Sequence, residues 1–292
     1  MLTISIRKIH SFYLVTALMV GMLACSTILA SEYTPPGLYD IGNYQLPNGL
    51  RVLLKERHQA RSVSYRVVVN VGLADYPCGQ KETPHFLEHL LFSGTSLYSE
   101  SELNDLVEEH GGSWNAYTRE ESTDYLLDIF SMYAPLGLEI LHAIITDSQI
   151  TQENVDRSRD IIHREAGGRP SLVENWYREL GMGRSGSGLA HDRLVEGTSY
   201  ACSSIETADD IGRADILEAY ENYYVASNMT LIVVGDFDPA VMKNQIESSF
   251  GTISSGESNR QQLQDPVPQI SSVWPGTSLL KARQSNFITS PR

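Results

Sequence analysis

The segment TPHFLEHLLFSGT, which begins at Thr83, constrains the fold of this chain more than any other, because it sets polar side chains in an apolar helix. Thr83 and Pro84 suit the N-cap and the first position of a helix. On that helix His85 and His89 leave the same face one turn apart, and Glu88 lies at its edge. The other positions are mostly apolar, so the helix is predicted to be buried, and buried imidazoles and carboxylates are costly without partners. A divalent metal ion would supply such a partner.

The order His-x-x-Glu-His, formed by residues 85–89, is the inverzincin signature of zinc peptidases. A catalytic zinc usually has three protein ligands, so a third must come from elsewhere in the chain. The leading candidate is Glu165, near the end of a predicted helix over residues 151–166, where it continues an apolar face. That face carries Val155, Ser158 and Ile162. The pattern is equally compatible with a surface glutamate, and His163, a rival ligand, falls off the face and better suits packing or solvent.

Periodicity along the chain predicts an α+β fold with helices packed on a mostly antiparallel sheet. Asn48-Gly49 is a favoured hairpin dipeptide, and it joins two arms over residues 44–55. Further strands are predicted at 63–72, 122–130 and 229–237, and further helices within 99–112, 133–146, 213–223 and 239–250. Strands and helices do not alternate regularly, which favours α+β over a parallel α/β architecture.

Composition divides the chain into three segments. Residues 1–30 have two basic residues and then an apolar run ending in small residues, the layout of a cleaved secretion signal. The run is also nearly long enough for an uncleaved membrane anchor, and Cys25 faintly resembles a lipidation site. Residues 31–251 are predicted to form one globular domain, and residues 252–292, rich in Pro, Ser and Gln, a linker-like disordered tail. An exported protein, periplasmic or secreted, is therefore expected, with no membrane span after signal removal.

The charge of the chain excludes one class of partner. It carries 22 basic and 36 acidic side chains, a net charge of −14. Nucleic-acid binding depends on clustered lysine and arginine, so no nucleic-acid partner is expected.

Two cysteines lie outside the predicted signal. Cys78 and Cys202 could form one disulfide in an oxidising compartment, and two free or buried thiols fit the sequence equally well.

These features together resemble the N-terminal half of the pitrilysin family of zinc metallopeptidases, from about Leu46 to Gly251. The resemblance rests on the inverted histidine motif and on Glu165, 76 residues beyond His89. It also rests on a Gly-Gly-x-x-Asn-Ala-x-Thr segment that begins at Gly111 and on the closing strand MTLIVVGDF. The predicted domain is accordingly similar to the family's N-terminal peptidase domain, one half of a two-domain clam.

The resemblance implies roles for six residues of these motifs. His85, His89 and Glu165 would hold one zinc ion per chain, which activates water, and Glu88 would act as general base. Asn115 and Ala116 would lie on a sheet edge that binds extended peptide substrate by main-chain pairing.

Two departures from the family pattern bear on activity. Family peptidases usually carry a glutamate seven residues before the third ligand, where this chain has Ser158. Loss of a group that orients a metal ligand typically costs about 10- to 100-fold in affinity or activity. Asp156 and Asp160 lie off the required face. Family members also have two homologous halves, and residues 252–292 are too few to form the second.

Three functions are therefore open. The first is an exported zinc endopeptidase that works with a second homologous domain or chain, in a homodimer or heterodimer. The second is a zinc-binding partner subunit with weak or no turnover, and the third is a truncated, non-functional half. The intact set of three ligands and a base favours the first.

Overall fold

The computed structural model describes residues 37, 39–167, 200 and 205–257, and this part of the chain contains six strands and six α-helices joined by loops and short 3-10 helices. The strands are β1 (Gly42–Gln45), β2 (Arg51–Glu56), β3 (Ser62–Val69), β4 (Ser113–Thr118), β5 (Thr123–Phe130) and β6 (Met229–Gly235). The helices are α1 (Thr83–Leu91), α2 (Glu100–Glu109), α3 (Ala134–Thr146), α4 (Gln152–Glu165), α5 (Arg213–Tyr223) and α6 (Pro239–Ser249). The chain divides into two units, Met1–Tyr39 and Asp40–Arg292, and these elements belong to the second.

The strands form one sheet in the order β1-β2-β6-β3-β5-β4. All neighbouring strands are antiparallel except β2 and β6, which are parallel. Along β3 the side chains of Val63, Tyr65, Val67 and Val69 are buried in alternation, as expected for a strand with one face on a core. The predicted α+β class is confirmed, and β4 is an edge strand of the described sheet.

Helices cover one face of this sheet. Gly137 of α3 allows a close approach, since a Cβ there would lie 3.0 Å from the side chains of Tyr65 and Leu127. Tyr125, on the same face of β5 as Leu127, contacts Phe92 just after α1, with ring centroids 6.0 Å apart.

Helix α1 packs against α4, α5 and the β4–β5 part of the sheet. It buries four side chains completely, those of Phe86, Leu87, Leu90 and Leu91. This packing leaves the polar edge of α1 as its accessible side.

The β1–β2 hairpin is present as predicted. Gly49 has a φ of +96°, a backbone conformation that favours glycine. Asn48 anchors the end of the domain, because its Nδ2 donates to the carbonyl oxygens of Phe250 (2.8 Å) and Ile253 (3.0 Å). These bonds hold Ile253, which is buried, against the hairpin. The packed fold therefore continues past the boundary predicted at residue 251, because turn and backbone groups beyond it are hydrogen-bonded to the domain.

Several sequence predictions fall outside the described residues. These are the signal at residues 1–30, residues 258–292 of the predicted tail, and Cys202. Cys78 is disulfide-bonded, and its pairing with Cys202 stays a prediction. Within the described part of the chain, no helix is both long enough and apolar enough to cross a membrane.

Candidate metal centre

Helix α1 begins one position earlier than the sequence predicts. Glu82 is the N-cap residue, Thr83 is the first helical residue and Pro84 the second. The prediction of Thr83 as N-cap is wrong, because its hydroxyl donates to the carbonyl oxygen of Gln80 (2.7 Å) instead of accepting a helical N–H. Glu82 therefore stands three residues before His85 at the start of the helix, a spacing at which helical side chains are neighbours.

The structure brings the three predicted metal ligands together. His85 Nε2 lies 3.2 Å from His89 Nε2. Glu165 Oε2 lies 3.2 Å from His85 Nε2 and 3.5 Å from His89 Nε2. Among the described residues, this is the group of histidine, cysteine and acidic side chains whose donor atoms are close enough together to share one metal ion.

The chemistry and spacing of these donor atoms fit a zinc ion. Zinc binds imidazole nitrogen and carboxylate oxygen at about 2.0–2.2 Å. Two ligand atoms at that distance in a tetrahedral arrangement are roughly 3.3–3.6 Å apart. The three separations measured here are 3.2, 3.2 and 3.5 Å. Three protein ligands also leave a fourth position for water or substrate, as in catalytic zinc sites.

Helix α4 carries Glu165 to this position. Its predicted apolar face is buried, namely Val155, Ser158 and Ile162. Arg159 links α4 to α1, because its guanidinium carbon lies 5.6 Å from the ring centroid of Phe86. The Glu165 side chain is 51% exposed, against 23% for His85 and 19% for His89. The carboxylate therefore approaches the imidazoles from the solvent side of the group.

The two imidazoles have opposite pKa shifts. Burial lowers the pKa of His85, but the hydrogen bond and negative charge of Glu82, together with the charges of Glu88 and Glu165, outweigh burial and raise it overall. Burial, followed by the neighbouring charge of His85, lowers the pKa of His89. His85 therefore keeps its proton to a higher pH than His89. Because a metal ion must displace that proton, metal affinity should increase as the pH rises.

Glu88 lies on the same edge of α1 and is held by strand β4. The Thr118 hydroxyl, at the end of β4, donates to Glu88 Oε2 (2.5 Å). The chain after Thr118 is fixed by a hydrogen bond from Leu73 N–H to Arg119 O (3.0 Å). That contact requires a glycine beside it, because a Cβ at Gly72 would lie 2.4 Å from Arg119 O. Thr118 thus orients the Glu88 carboxylate without being one of the three candidate metal ligands.

The predicted substrate-binding residues lie on β4. Asn115 is exposed and Ala116 is buried. Asn115 Oδ1 accepts the Ala116 N–H (2.9 Å), and its Nδ2 donates to the Tyr117 hydroxyl (3.0 Å). A peptide that paired with the Ala116 N–H would have to replace the first of these bonds. Since β4 ends at Thr118, this edge leads directly to Glu88.

Comparison with known proteins assigns the chain to a family. Residues 51–174 match the family model for insulinase, peptidase family M16, and residues 210–284 match the model for the peptidase M16 inactive domain. The chain belongs to peptidase family M16. The resemblance to the pitrilysin family is confirmed, and the second match of this M16 chain includes much of the segment that composition predicts as a tail.

Individual relatives are named as subunits of a mitochondrial-processing peptidase or as zinc proteases. A probable mitochondrial-processing peptidase subunit beta of Arabidopsis thaliana is 27% identical over 221 residues, which are 75% of this chain and 40% of that protein. An uncharacterized zinc protease of Streptomyces coelicolor is 27% identical over 243 residues, 83% of this chain and 50% of that protein. The chain spans about half the length, or somewhat less, of the curated relatives it matches.

Solved structures share the fold of this M16 chain. The periplasmic protease PqqL from Escherichia coli superposes with a TM-score of 0.65 at 20% identity, over 79% of this chain and 26% of that chain. Pitrilysin gives a TM-score of 0.64 at 22% identity, over 77% of this chain and 24% of that chain. At these identities the likeness shows the fold alone.

Sequence reasoning assigned no role to two residues beside the donor group. Glu82, whose side chain is 9% exposed, accepts a hydrogen bond from His85 Nδ1 (2.7 Å). Thr118 contacts Glu88, as described above. The spacing of Glu82 and His85 was a usable signal, but the assumed helix start placed Glu82 outside the helix. His163 is buried, as a packing residue should be, and its Nε2 lies 3.1 Å from Asp209 Oδ1.

Proposed function

We propose that this chain is the zinc-binding half of an exported M16 endopeptidase that hydrolyses extended peptides, with one zinc ion held by His85, His89 and Glu165. The observation that carries the proposal is the convergence of these three donor atoms, all within 3.5 Å of one another, next to Glu88. When bound, zinc supplies Lewis-acid polarisation of the peptide carbonyl and lowers the pKa of water to about 7.

The chain's own residues supply the remaining chemistry. Glu88 accepts a proton from the attacking water and transfers it to the leaving amine nitrogen. The hydrogen bond from Thr118 holds the Glu88 carboxylate in one orientation. Asn115 and Ala116 present the β4 edge to an extended peptide, whose main chain adds a strand to the sheet. Main-chain pairing of this kind selects extended conformation more than side-chain identity.

A second homologous domain or chain completes the enzyme in this proposal. Two findings support it: the chain spans about half the length of its curated relatives, and several of those relatives are named as subunits. The second half would close over the open edge of β4 and the exposed side of Glu165.

The decisive experiment measures zinc content and peptide cleavage for the full chain, alone and mixed with a homologous chain from the same source. Glu88→Gln keeps the side-chain size but removes the base, so zinc content should be unchanged while cleavage falls by about 10²- to 10⁴-fold. Glu109→Gln, on the exposed end of α2, is the matched control and should cleave normally. If Glu88→Gln cleaves as fast as wild type, the proposed mechanism is wrong.

A zinc-binding partner subunit with little or no turnover is the second candidate. Ser158, where family peptidases usually carry a glutamate, favours it. In that case the chain binds zinc and its partner, and the assembled complex cleaves peptide no faster than the Glu88→Gln complex. Robust cleavage that depends on Glu88 would eliminate this candidate.

A further inference from the structure

Glu82 is a buried carboxylate on the side of the His85 ring opposite the donor group. Its Oε2 lies 2.7 Å from His85 Nδ1, and its side chain is 9% exposed. Burying a carboxylate is costly unless it is hydrogen-bonded or paired. The contact with the imidazole is therefore part of what stabilises Glu82 at this position.

We propose that Glu82 is a positioning residue for metal binding, which fixes the tautomer and the orientation of the His85 ring. This inference rests on the proposed function, because it assigns Glu82 to the site that would hold zinc. Neither the family resemblance nor the sequence pattern assigns a role to this residue.

The hydrogen-bond pattern determines which ring nitrogen can bind a metal. An ionised carboxylate accepts hydrogen bonds and cannot donate them, so Nδ1 of His85 carries the proton in this contact. The lone pair then lies on Nε2. Nε2 is the atom 3.2 Å from both His89 Nε2 and Glu165 Oε2. Glu82 therefore directs the coordinating nitrogen toward the other two ligands.

The position of Glu82 in the helix supports this role. The side chains that ordinarily satisfy helical N–H groups from the N-cap position are those of Ser, Thr, Asp and Asn, not Glu. Glu82 is the N-cap of α1, and its side chain makes no capping hydrogen bond. The carboxylate instead spans one turn to His85, where the positive end of the helix dipole also favours a negative charge.

Glu82 also offers the kind of group that α4 lacks. Ser158 stands where family peptidases usually have an orienting glutamate, and Ser158 is buried. The nearby Asp156 is engaged by Arg159, with Oδ1 and Nη1 2.7 Å apart. Carboxylates that hydrogen-bond a metal-bound histidine raise its basicity and fix its orientation. In this chain α1 itself carries such a carboxylate, three residues before the first ligand.

The experiment compares the full chain with Glu82→Ala, Glu82→Gln and the surface control Glu109→Gln. Zinc affinity is measured by competition with a chromophoric chelator. ¹⁵N NMR of the metal-free chains, at a pH above the titration range of both histidines, reports the His85 tautomer directly. Thermal melts of each metal-free variant identify any that fail to fold.

Glu82→Ala should bind zinc about 10- to 100-fold more weakly than wild type and lose its preference for the Nδ1–H tautomer. Glu82→Gln can still accept the Nδ1–H through its amide oxygen, so it should keep the tautomer and lose less affinity. If Glu82→Ala does not fold, Glu82→Gln decides. A smaller loss of zinc affinity with the Nδ1–H tautomer kept supports the inference, and unchanged zinc affinity contradicts it.

Unchanged zinc affinity and an unchanged tautomer in Glu82→Ala would overturn the inference while leaving the proposed function intact. A wild-type chain that binds no zinc would instead defeat the proposed function and, with it, a metal-binding role for Glu82. An equal loss of affinity in Glu109→Gln would show a non-specific effect and would also count against the inference.

Discussion

Replacing Glu165 with Gln should remove most of the stabilisation that zinc gives the chain and leave the metal-free fold almost unchanged. Glu165 is the last residue of α4, and its side chain is 51% exposed. Substitutions at such exposed positions usually change the free energy of unfolding by no more than about 0.5 kcal/mol. In the metal-free chain, therefore, Glu165→Gln and wild type should melt at nearly the same temperature.

The zinc-bound states should differ by several degrees. At free zinc about 100 times the wild-type Kd, binding stabilises the fold by about 2.7 kcal/mol. For a domain of roughly 150–250 residues, 1 kcal/mol shifts Tm by about 2–4 °C, so the wild-type Tm should rise by roughly 5–11 °C. Loss of a ligand should weaken zinc binding at least as much as loss of a group that hydrogen-bonds a ligand, which costs about 100-fold in affinity at the upper end. The same zinc concentration then stabilises the variant by about 0.4 kcal/mol, or less than roughly 2 °C.

The assay is thermal denaturation followed by circular dichroism, with and without zinc at a buffered free concentration, for wild type, Glu165→Gln and Glu109→Gln. Glu109→Gln should show the full wild-type shift. A zinc-dependent shift in Glu165→Gln equal to that of wild type would show that Glu165 is not a ligand. A large loss of metal-free stability would show that its contacts with the histidines support the fold itself.

Three further predictions test other parts of the structure. Thr118→Val removes the hydroxyl that orients the proposed base, so kcat of the active complex should fall by roughly tenfold or more while zinc affinity, measured by chelator competition, stays unchanged. Hydrogen bonds to Asp236 and then Glu56 raise the pKa of His58 above its ordinary value of 6.5. The stabilisation by His58 is therefore present below that value and lost as the pH rises through the folded-state pKa. In urea unfolding from about pH 5.5 to about 8.5, the difference in the free energy of unfolding between wild type and His58→Asn should narrow as the pH rises. Added salt should also reduce this difference, because His58 is exposed. A difference that stays constant with pH would contradict the assignment. Tyr65→Phe removes a buried hydrogen bond of 2.7 Å to a backbone carbonyl of α3, and should lower the free energy of unfolding by about 1–2 kcal/mol with no change in zinc affinity; a change in affinity would show coupling between the sheet core and the metal ligands.

Much of the fold followed from local sequence patterns. The Asn48-Gly49 hairpin, the central strands and the helices are present with boundaries shifted by a few residues, because turn chemistry and hydrophobic periodicity act over short distances along the chain. Helix α1 begins one residue before the predicted position, and the Thr83 hydroxyl donates to the carbonyl oxygen of Gln80 instead of capping the helix. Beyond residue 251, the boundary predicted from composition, the Asn48 side chain donates a hydrogen bond to the carbonyl oxygen of Ile253.

In the candidate site, too, the relations within one helix could be predicted from the sequence, and those between separate elements could not. Helical geometry alone places His85 and His89 on one face, four residues apart. The apolar face of the predicted helix over 151–166 made Glu165 the leading third ligand, and the family resemblance agreed. Whether Glu165 reaches them depended on how α4 packs on α1, which the pattern of α4 left open between a ligand and a surface residue. The bond from Thr118 to Glu88 depends likewise on where β4 ends relative to α1.

The amino-acid sequence alone specified the two imidazoles, the neighbouring carboxylate and the type of secondary structure that carries them, because these relations extend over one or two helical turns. Tertiary structure alone decided that a glutamate 76 residues away completes the donor group and that Glu82 is buried against His85. The physical reason is that distances between separate elements are set by packing in a shared core, and burial turns an ordinary acidic residue into a specific hydrogen-bond partner.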